Sequence, residues 1–355
     1  MRVYACRPMH EPGLDQEIRF LETGAGRLAY ASVGSGPPLI LPPLWISHLE
    51  LEWGFPELRT FITGLAGGHQ VIRYDRIGTG LSDRAAVEPS LEAEVESLEA
   101  LTAEIGSGEV DLLGISFGGC TAVEFAARHP GKVRRVALFG AYARGDDVAP
   151  PALREALVAT VRAHWGAGSR ALADIWIPGA NASVRTRFAE LQRESATAEV
   201  AAAALEAVYA ADVSETARRV GAPALVLHRK RDRAIPFACG RELAARLPEG
   251  RLHALAGDTH PPWLGDQVTV VRAVSDFLAD ETTSAAAPPA AGSPLSDREQ
   301  EVLRLVADGL TNEQIARRLI VSVHTVHRHV ANIRLKLNQP SRGAAASYAV
   351  RHELI

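Results

Sequence analysis

The residues Gly114-Ile115-Ser116-Phe117-Gly118 follow directly on an apolar run, Val110-Asp111-Leu112-Leu113, and lead into a helix-forming stretch at 120–128. A strand that passes into a helix through so short a turn must redirect the chain within a few residues. Gly114 and Gly118 flank the serine where a Cβ would block the close approach of strand and helix. Such a turn holds the serine in strained dihedrals and lifts its hydroxyl clear of the backbone. It also aims the next amide, on Phe117, at the place where an attacked carbonyl oxygen would become negative. A glycine-rich loop that binds phosphate at a helix start is the other arrangement this pattern serves.

The surrounding chain alternates between strand-like and helix-like segments. Strands are expected at 18–21, 28–33, 39–41, 71–74, 110–113, 135–139, 224–228 and 252–255. Helical patterns fall at 91–104, 120–128, 239–247 and 266–278. Alternation of this kind implies βαβ units around a mostly parallel, buried sheet, an α/β fold. Only 22–27 separate the first two strands, which predicts an antiparallel hairpin at a sheet edge. From about 150 to 213 the alternation stops, and Ala, Glu, Arg and Leu dominate. That stretch reads as a helical cap over the end of the sheet where α/β folds bind ligands.

A serine hydroxyl is a weak nucleophile unless a base, itself held by a third group, takes its proton. Asp232 follows the strand at 224–228 and His260 follows the strand at 252–255. Both therefore fall in loops at the same sheet edge as Ser116, in the chain order Ser, acid, His that suits this turn. Taken singly, a loop aspartate or histidine is more often a solvated polar group. Asp212 and Asp258 are the other candidates for the acid, and they fit the strand positions less well. His48, His69, His129 and His164 read as surface or packing residues. A second oxyanion donor is expected from the loop after the third strand, Leu41-Pro42-Pro43-Leu44-Trp45. Prolines offer no amide, so the Leu44 amide is the candidate, with Trp45 next in line.

Composition restricts the alternatives. The 355 residues hold three cysteines, Cys6, Cys120 and Cys239, without metal-ligand spacing or a disulfide pattern. No metal and no cofactor is called for. Met1 to Pro8 lack the apolar core of a secretion signal, and no apolar stretch approaches the ~18 residues of a membrane span. A cytoplasmic protein without membrane contact is the expectation. The net charge of −4 is unevenly spread: from Ser293 onward nine Lys/Arg face six acids, net +3, which leaves −7 on the remainder. A basic end on an acidic body suits a nucleic-acid partner.

Residues 282–293 are small, polar and Pro-containing and read as a linker. They separate a domain at 1–281 from one at 294–355. In the latter, Ser296 and Glu299 form a capping-box pattern and Gly309 ends the helix they start. A second helix is expected from Thr311 or Asn312 to Leu319, and Ser322 caps a third. Val326, Val330, Ile333 and Leu337 recur on one face of that third helix, while Val323, His324, Thr325, His327, Arg328, Asn332 and Lys336 lie on the other. Such side chains suit phosphates and base edges. The pattern is that of a helix-turn-helix, or more plainly of a small helical interaction domain with a solvated face.

Two resemblances follow from these motifs. Residues 17–280 resemble the α/β-hydrolase superfamily. The segments Trp45 to Trp53, Arg73 to Asp83 and His260 to Asp266 are similar to hydrolase-like domains that bacteria fuse to signalling modules. Leu295 to Glu299, Thr311 to Ala316, Val321 to Val326, His329 and Lys336-Leu337 resemble the LuxR-type helix-turn-helix. Asn338 stands where a glycine commonly ends the helix. The second resemblance implies double-stranded DNA as partner and His324, Thr325, Val326, Arg328, His329, Arg334 and Lys336 as the residues that contact or orient on it. It also implies a homodimer through a fourth helix around 342–352. Together they imply a ligand-responsive transcriptional regulator. Its body would sense, and possess the groups to hydrolyse, a small apolar ester or lactone, with Leu157, Trp165, Ile175, Trp176 and Phe188 as candidate apolar contacts. The alternative is a serine esterase or lactonase whose C-terminal module serves assembly.

Overall fold

Strands buried along their whole length need helices on both faces, and Val110–Ile115 and Ala224–Arg229 are buried throughout. The computed structural model describes residues 15–84, 88–279, 297–307 and 310–319, together with Val326, Val330, Ile333 and Arg342. The chain divides into two units, Met1–Thr282 and Thr283–Ile355. The first begins β1 (Glu17–Thr23), β2 (Gly26–Val33), β3 (Pro38–Leu41), α1 (Leu49–Trp53), α2 (Pro56–Leu65), β4 (Gln70–Tyr74), α3 (Leu91–Ile105), β5 (Val110–Ile115), α4 (Phe117–Arg128) and β6 (Val133–Phe139). It continues α5 (Pro151–Ala163), α6 (Trp165–Trp176), α7 (Ala182–Ser195), α8 (Ala198–Ala210), β7 (Ala224–Arg229), α9 (Phe237–Arg246), β8 (Gly250–Leu255) and α10 (Gln267–Ala279).

Every expected strand lies in one eight-stranded sheet of order β1-β2-β4-β3-β5-β6-β7-β8. The edge hairpin β1–β2 is antiparallel, as is β2–β4. The remaining pairs are parallel. Successive strand residues face opposite sides, so the interior forms two layers. Leu112, Val136 and Val226 pack with α3, α4 and α9, whereas Leu113, Ala137 and Leu227 pack with α2 and α10. Helices α1 and α2 fall outside the expected helices. Five residues give α1 too little length to show a period, and it starts on a histidine cap, the His48 ring nitrogen accepting from the Leu51 amide. Helix α2 starts with Pro56, which suits a first turn.

Between β6 and β7 the chain leaves the sheet and forms four helices. Helix α5 packs on α6 and α8, and α6 on α7. Leu157, Trp176 and Leu205 of these helices line one cavity with Ser116 and His260, so the four helices cap the loops at the strands' carboxyl ends.

In the second unit, α11 (Asp297–Ala307) and α12 (Asn312–Leu319) meet around a small core of Val302, Leu305, Ile315, Val326 and Ile333. The Gln314 amide donates to Thr311 Oγ1 at 3.3 Å, and the Thr311 amide donates to Gln314 Oε1 at 2.7 Å. This reciprocal pair is a capping box, and it fixes where α12 starts. Arg342 donates to Asn312 Oδ1 at 2.7 Å and to the Leu310 carbonyl, tying the turn between α11 and α12. The linker at 282–293 and the expected caps Ser296, Gly309 and Ser322 lie outside the described residues.

Candidate active site

Ser116 joins β5 to α4 with φ 54° and ψ −125°, and among the described residues no other non-glycine residue has positive φ. Dihedrals of this kind cost about 1–3 kcal/mol and persist only where packing enforces them. Here the neighbouring backbone enforces them. A Cβ on Gly114 would lie 2.5 Å from the Gly119 Cα, one on Gly118 2.5 Å from the Pro42 carbonyl oxygen, and one on Gly119 2.4 Å from the Ala141 Cβ. The glycine requirement therefore extends one position beyond the expected pair. The Ser116 amide donates to the Phe139 carbonyl at 3.0 Å, which locks the turn to β6.

Asp232 follows β7 and is buried. Its Oδ1 accepts from the amides of Ala234 (2.9 Å) and Ile235 (3.1 Å), and its Oδ2 lies 2.8 Å from His260 Nδ1. A carboxylate only accepts, so His260 carries its proton on Nδ1 and leaves Nε2 as an acceptor. That Nε2 is buried and has no hydrogen-bond partner among the described residues. The His260 amide donates to the Trp176 carbonyl at 2.7 Å, and the two rings meet edge to face at 5.4 Å. The last residue of α6 thus touches the imidazole directly. Asp212 is engaged elsewhere: its backbone pairs with that of Arg144 in an isolated antiparallel β-bridge, and its carboxylate accepts from the Ser214 amide. Hydrogen bonding to the Ser214 side chain, and less to its amide, holds the Asp212 carboxyl below the usual range. His260 bonds to Asp232 rather than to Asp258.

Gly140, at the end of β6, was not foreseen. Its φ is 54°, and a Cβ there would stand 3.0 Å from His260 Cε1 and 3.5 Å from Asp232 Oδ2. The only sequence signal is a glycine immediately after a strand.

Ser116 and His260 line one cavity of about 250 Å³ together with Leu44 and Trp45. The cap supplies Leu157, Leu172, Ile175, Trp176 and Leu205 to its wall. Trp165 and Phe188 serve otherwise. Trp165 donates its indole N–H to the Ala196 carbonyl and meets Trp45 edge-on, and Phe188 packs on Trp176. The Phe117 amide opens α4, where no intrahelical partner exists for it. The close approach of Pro42 to Gly118 brings the Leu44 segment alongside. Among the described residues, no three His, Cys, Asp or Glu side chains gather as metal ligands, and Cys120 and Cys239 are buried free thiols.

A buried charge network borders the Pro42–Leu44 segment across a small cavity of about 40 Å³. Asp75 accepts from Ser47 Oγ (2.7 Å) and from the amides of Leu49 (3.1 Å) and Leu81 (2.9 Å). Burial pushes its carboxyl up and these bonds oppose the rise. Glu52 pairs with Arg73 at 2.9 Å. Burial raises the Glu52 carboxyl to about 7, Arg73 pulls it down, and Asp75 adds to the rise.

Of the residues expected to meet DNA, His324, Thr325, Arg328, His329, Arg334 and Lys336 lie outside the described residues. Val326 requires a correction: it is 0% exposed and packs in the core of the second unit. An apolar side chain buried there cannot reach a base edge. Val326 belongs to the apolar stripe that orients its helix.

Residues 63–267 match the family described as serine aminopeptidase, S33. Residues 293–349 match the bacterial regulatory proteins of the luxR family. The chain is 25% identical over 281 residues to a 2-hydroxy-6-oxo-2,4-heptadienoate hydrolase of Pseudomonas putida, covering 75% of this chain and 94% of that one. It is 34% identical over 119 residues to an uncharacterised transcriptional regulatory protein of Bacillus subtilis, covering 33% of this chain and 53% of that one. Among solved structures, the enol-lactonase of Burkholderia xenovorans superposes with a TM-score of 0.63 at 25% identity, over 74% of this chain and all of that one.

Proposed function

We propose that this chain, which belongs to the serine aminopeptidase S33 family of α/β hydrolases and carries a LuxR-type helix-turn-helix domain at its C-terminal end, is a ligand-responsive transcriptional regulator. Its hydrolase domain binds and hydrolyses a small apolar ester or lactone, and its C-terminal domain binds double-stranded DNA as a homodimer. One observation carries the hydrolytic part. His260 is held by the buried Asp232, with an unclaimed Nε2, in the same apolar cavity as the strained Ser116. A receptor that only binds has no use for a base fixed in that way.

In this reading Ser116 Oγ attacks the ester carbonyl carbon while its proton passes to His260 Nε2. Asp232 stabilises the imidazolium through Nδ1–H. The carbonyl oxygen becomes an oxyanion facing the Phe117 and Leu44 amides. Collapse of the intermediate expels an alkoxide that takes the proton from Nε2. With a lactone, the alcohol stays tethered to the acyl group. Water, deprotonated by His260, then releases the acid and restores Ser116.

A ligand beneath the cap shifts DNA affinity only by binding one cap state better than the other, typically with about 1–3 kcal/mol of coupling. Hydrolysis removes the ligand and resets the signal. The test combines p-nitrophenyl butyrate turnover by wild type and Ser116→Ala with mobility shift of the protein's own promoter region, with and without ester. Absence of Ser116-dependent turnover ends the hydrolytic part. Absence of DNA binding at modest salt, whatever the ligand, ends the regulatory part.

A further inference from the structure

Arg229 closes β7 and is 2% exposed. A buried guanidinium is ordinarily neutralised by a carboxylate. Asp232, Asp266 and Asp258 act on Arg229 through their charge, but its five hydrogen bonds go to the loop that carries His260. Nη1 donates to the Thr259 carbonyl (2.8 Å), Thr259 Oγ1 (2.7 Å) and the Pro261 carbonyl (2.9 Å). Nη2 donates to the carbonyls of Pro262 (3.3 Å) and Leu264 (2.6 Å). These acceptors bracket His260 on both sides. The guanidinium also lies over the Phe139 ring, 5.2 Å from its centroid.

The loop is shaped around this side chain. Gly257 and Gly265, at its two ends, have φ values of 112° and 73°. A Cβ on Gly257 would approach Arg229 Cδ to 3.1 Å, and one on Gly265 would lie 3.7 Å from Arg229 Nη2. Between them, Pro261 and Pro262 have no amide with which to build a hydrogen-bonded ladder. Carbonyls buried without donors would be costly, and one planar, multiply donating cation answers four of them.

We propose that Arg229 is the positioning residue for His260: its guanidinium gathers the carbonyls of residues 259–264 and so sets the distance and angle between the imidazole and Ser116. The inference rests on the reading of Ser116, Asp232 and His260 as a catalytic triad. Lysine cannot substitute, because a point-like ammonium lacks the fixed fork that reaches acceptors spread over six residues.

The test uses full-length Arg229→Lys, Arg229→Met and Thr259→Val. Three quantities are measured: kcat and KM for p-nitrophenyl butyrate, the thermal midpoint, and the downfield proton resonance of the His260 Nδ1–H···Asp232 bond. The Arg229 variants lose about 100-fold in kcat, the scale of a misplaced catalytic group. KM changes little and the downfield resonance is lost or broadened. Thr259→Val, which removes one acceptor and leaves the cation, lowers kcat by a smaller factor. Folded Arg229→Lys or Arg229→Met with wild-type kcat and an intact resonance overturns the proposal. If neither variant folds, Thr259→Val with unchanged kcat and resonance overturns it. A wild-type protein that shows the resonance but no turnover ends the hydrolase reading alone, and the resonance in the variants still decides the role of Arg229.

Discussion

Asp232→Asn alters one atom at the centre of the site, and the structure dictates how the new amide must sit. Two backbone amides, those of Ala234 and Ile235, point at Oδ1. An amide nitrogen placed there would set donor against donor, so the asparagine oxygen keeps that position. Its NH2 group then occupies the place of Oδ2, 2.8 Å from His260 Nδ1. An N–H facing Nδ1 makes Nδ1 an acceptor and moves the imidazole proton to Nε2. A protonated Nε2 cannot take the Ser116 proton. The wrong tautomer of a triad histidine costs roughly 10⁴-fold in kcat, or about 5 kcal/mol in the barrier at 1.36 kcal/mol per tenfold. Folding is affected far less than turnover, because the number of hydrogen bonds is preserved and each only falls from about 1.5–3 kcal/mol for a charged acceptor to about 1 kcal/mol for a neutral one. Turnover of p-nitrophenyl butyrate and thermal midpoints of both proteins give the answer. A folded variant that loses less than about tenfold in kcat would show that His260 does not depend on Asp232 for its tautomer.

Two further outcomes are expected. Gly118→Ala drives a Cβ into the Pro42 and Pro43 carbonyls, at 2.5 and 3.1 Å. The Leu44 loop must then move off α4, with about 1–3 kcal/mol lost from stability and a fall in kcat; a wild-type melting curve and kcat would refute the close packing. Glu52 has a folded pKa of about 7 against an ordinary 4.5. The native state therefore binds more protons than the unfolded state across that window, and stability from this group is lost as pH rises from 4.5 to 7. Glu52→Gln keeps an acceptor for Arg73 and removes the slope. The wild type should lose up to about 3 kcal/mol relative to the variant over the window, at 1.36 kcal/mol per unit. Urea denaturation at several pH values measures this, and a constant difference contradicts it.

Much of the architecture was legible locally. Short strand-like segments of three to six residues alternating with helical patterns located all eight strands; the central parallel strands β5 and β7 were plainest, because both of their faces are buried. The glycines around Ser116 predicted a tight turn, and the structure supplies the clashes that explain them. The second helix of the small unit begins where Thr311 and Asn312 suggested, sealed by Gln314. Other features left no local trace. Helix α1 is shorter than two turns. Trp165 and Phe188 share the aromatic character of Trp176, yet Trp176 lines the cavity, while Trp165 packs behind Trp45 and Phe188 behind Trp176. Val326 carried two readings, core and DNA contact, and burial selected the core.

The chain order of Ser116, Asp232 and His260 and the period of the strands were written in the linear text, because they depend on spacing and on neighbours a few residues away. Which carboxylate meets His260, why Gly140 has no side chain, and what the buried Arg229 holds were settled only by folding. Those answers depend on atoms from β6, β7 and the loop after β8 arriving within 3.5 Å of one another. Residues that lie dozens of positions apart along the chain carry no mark of such a meeting.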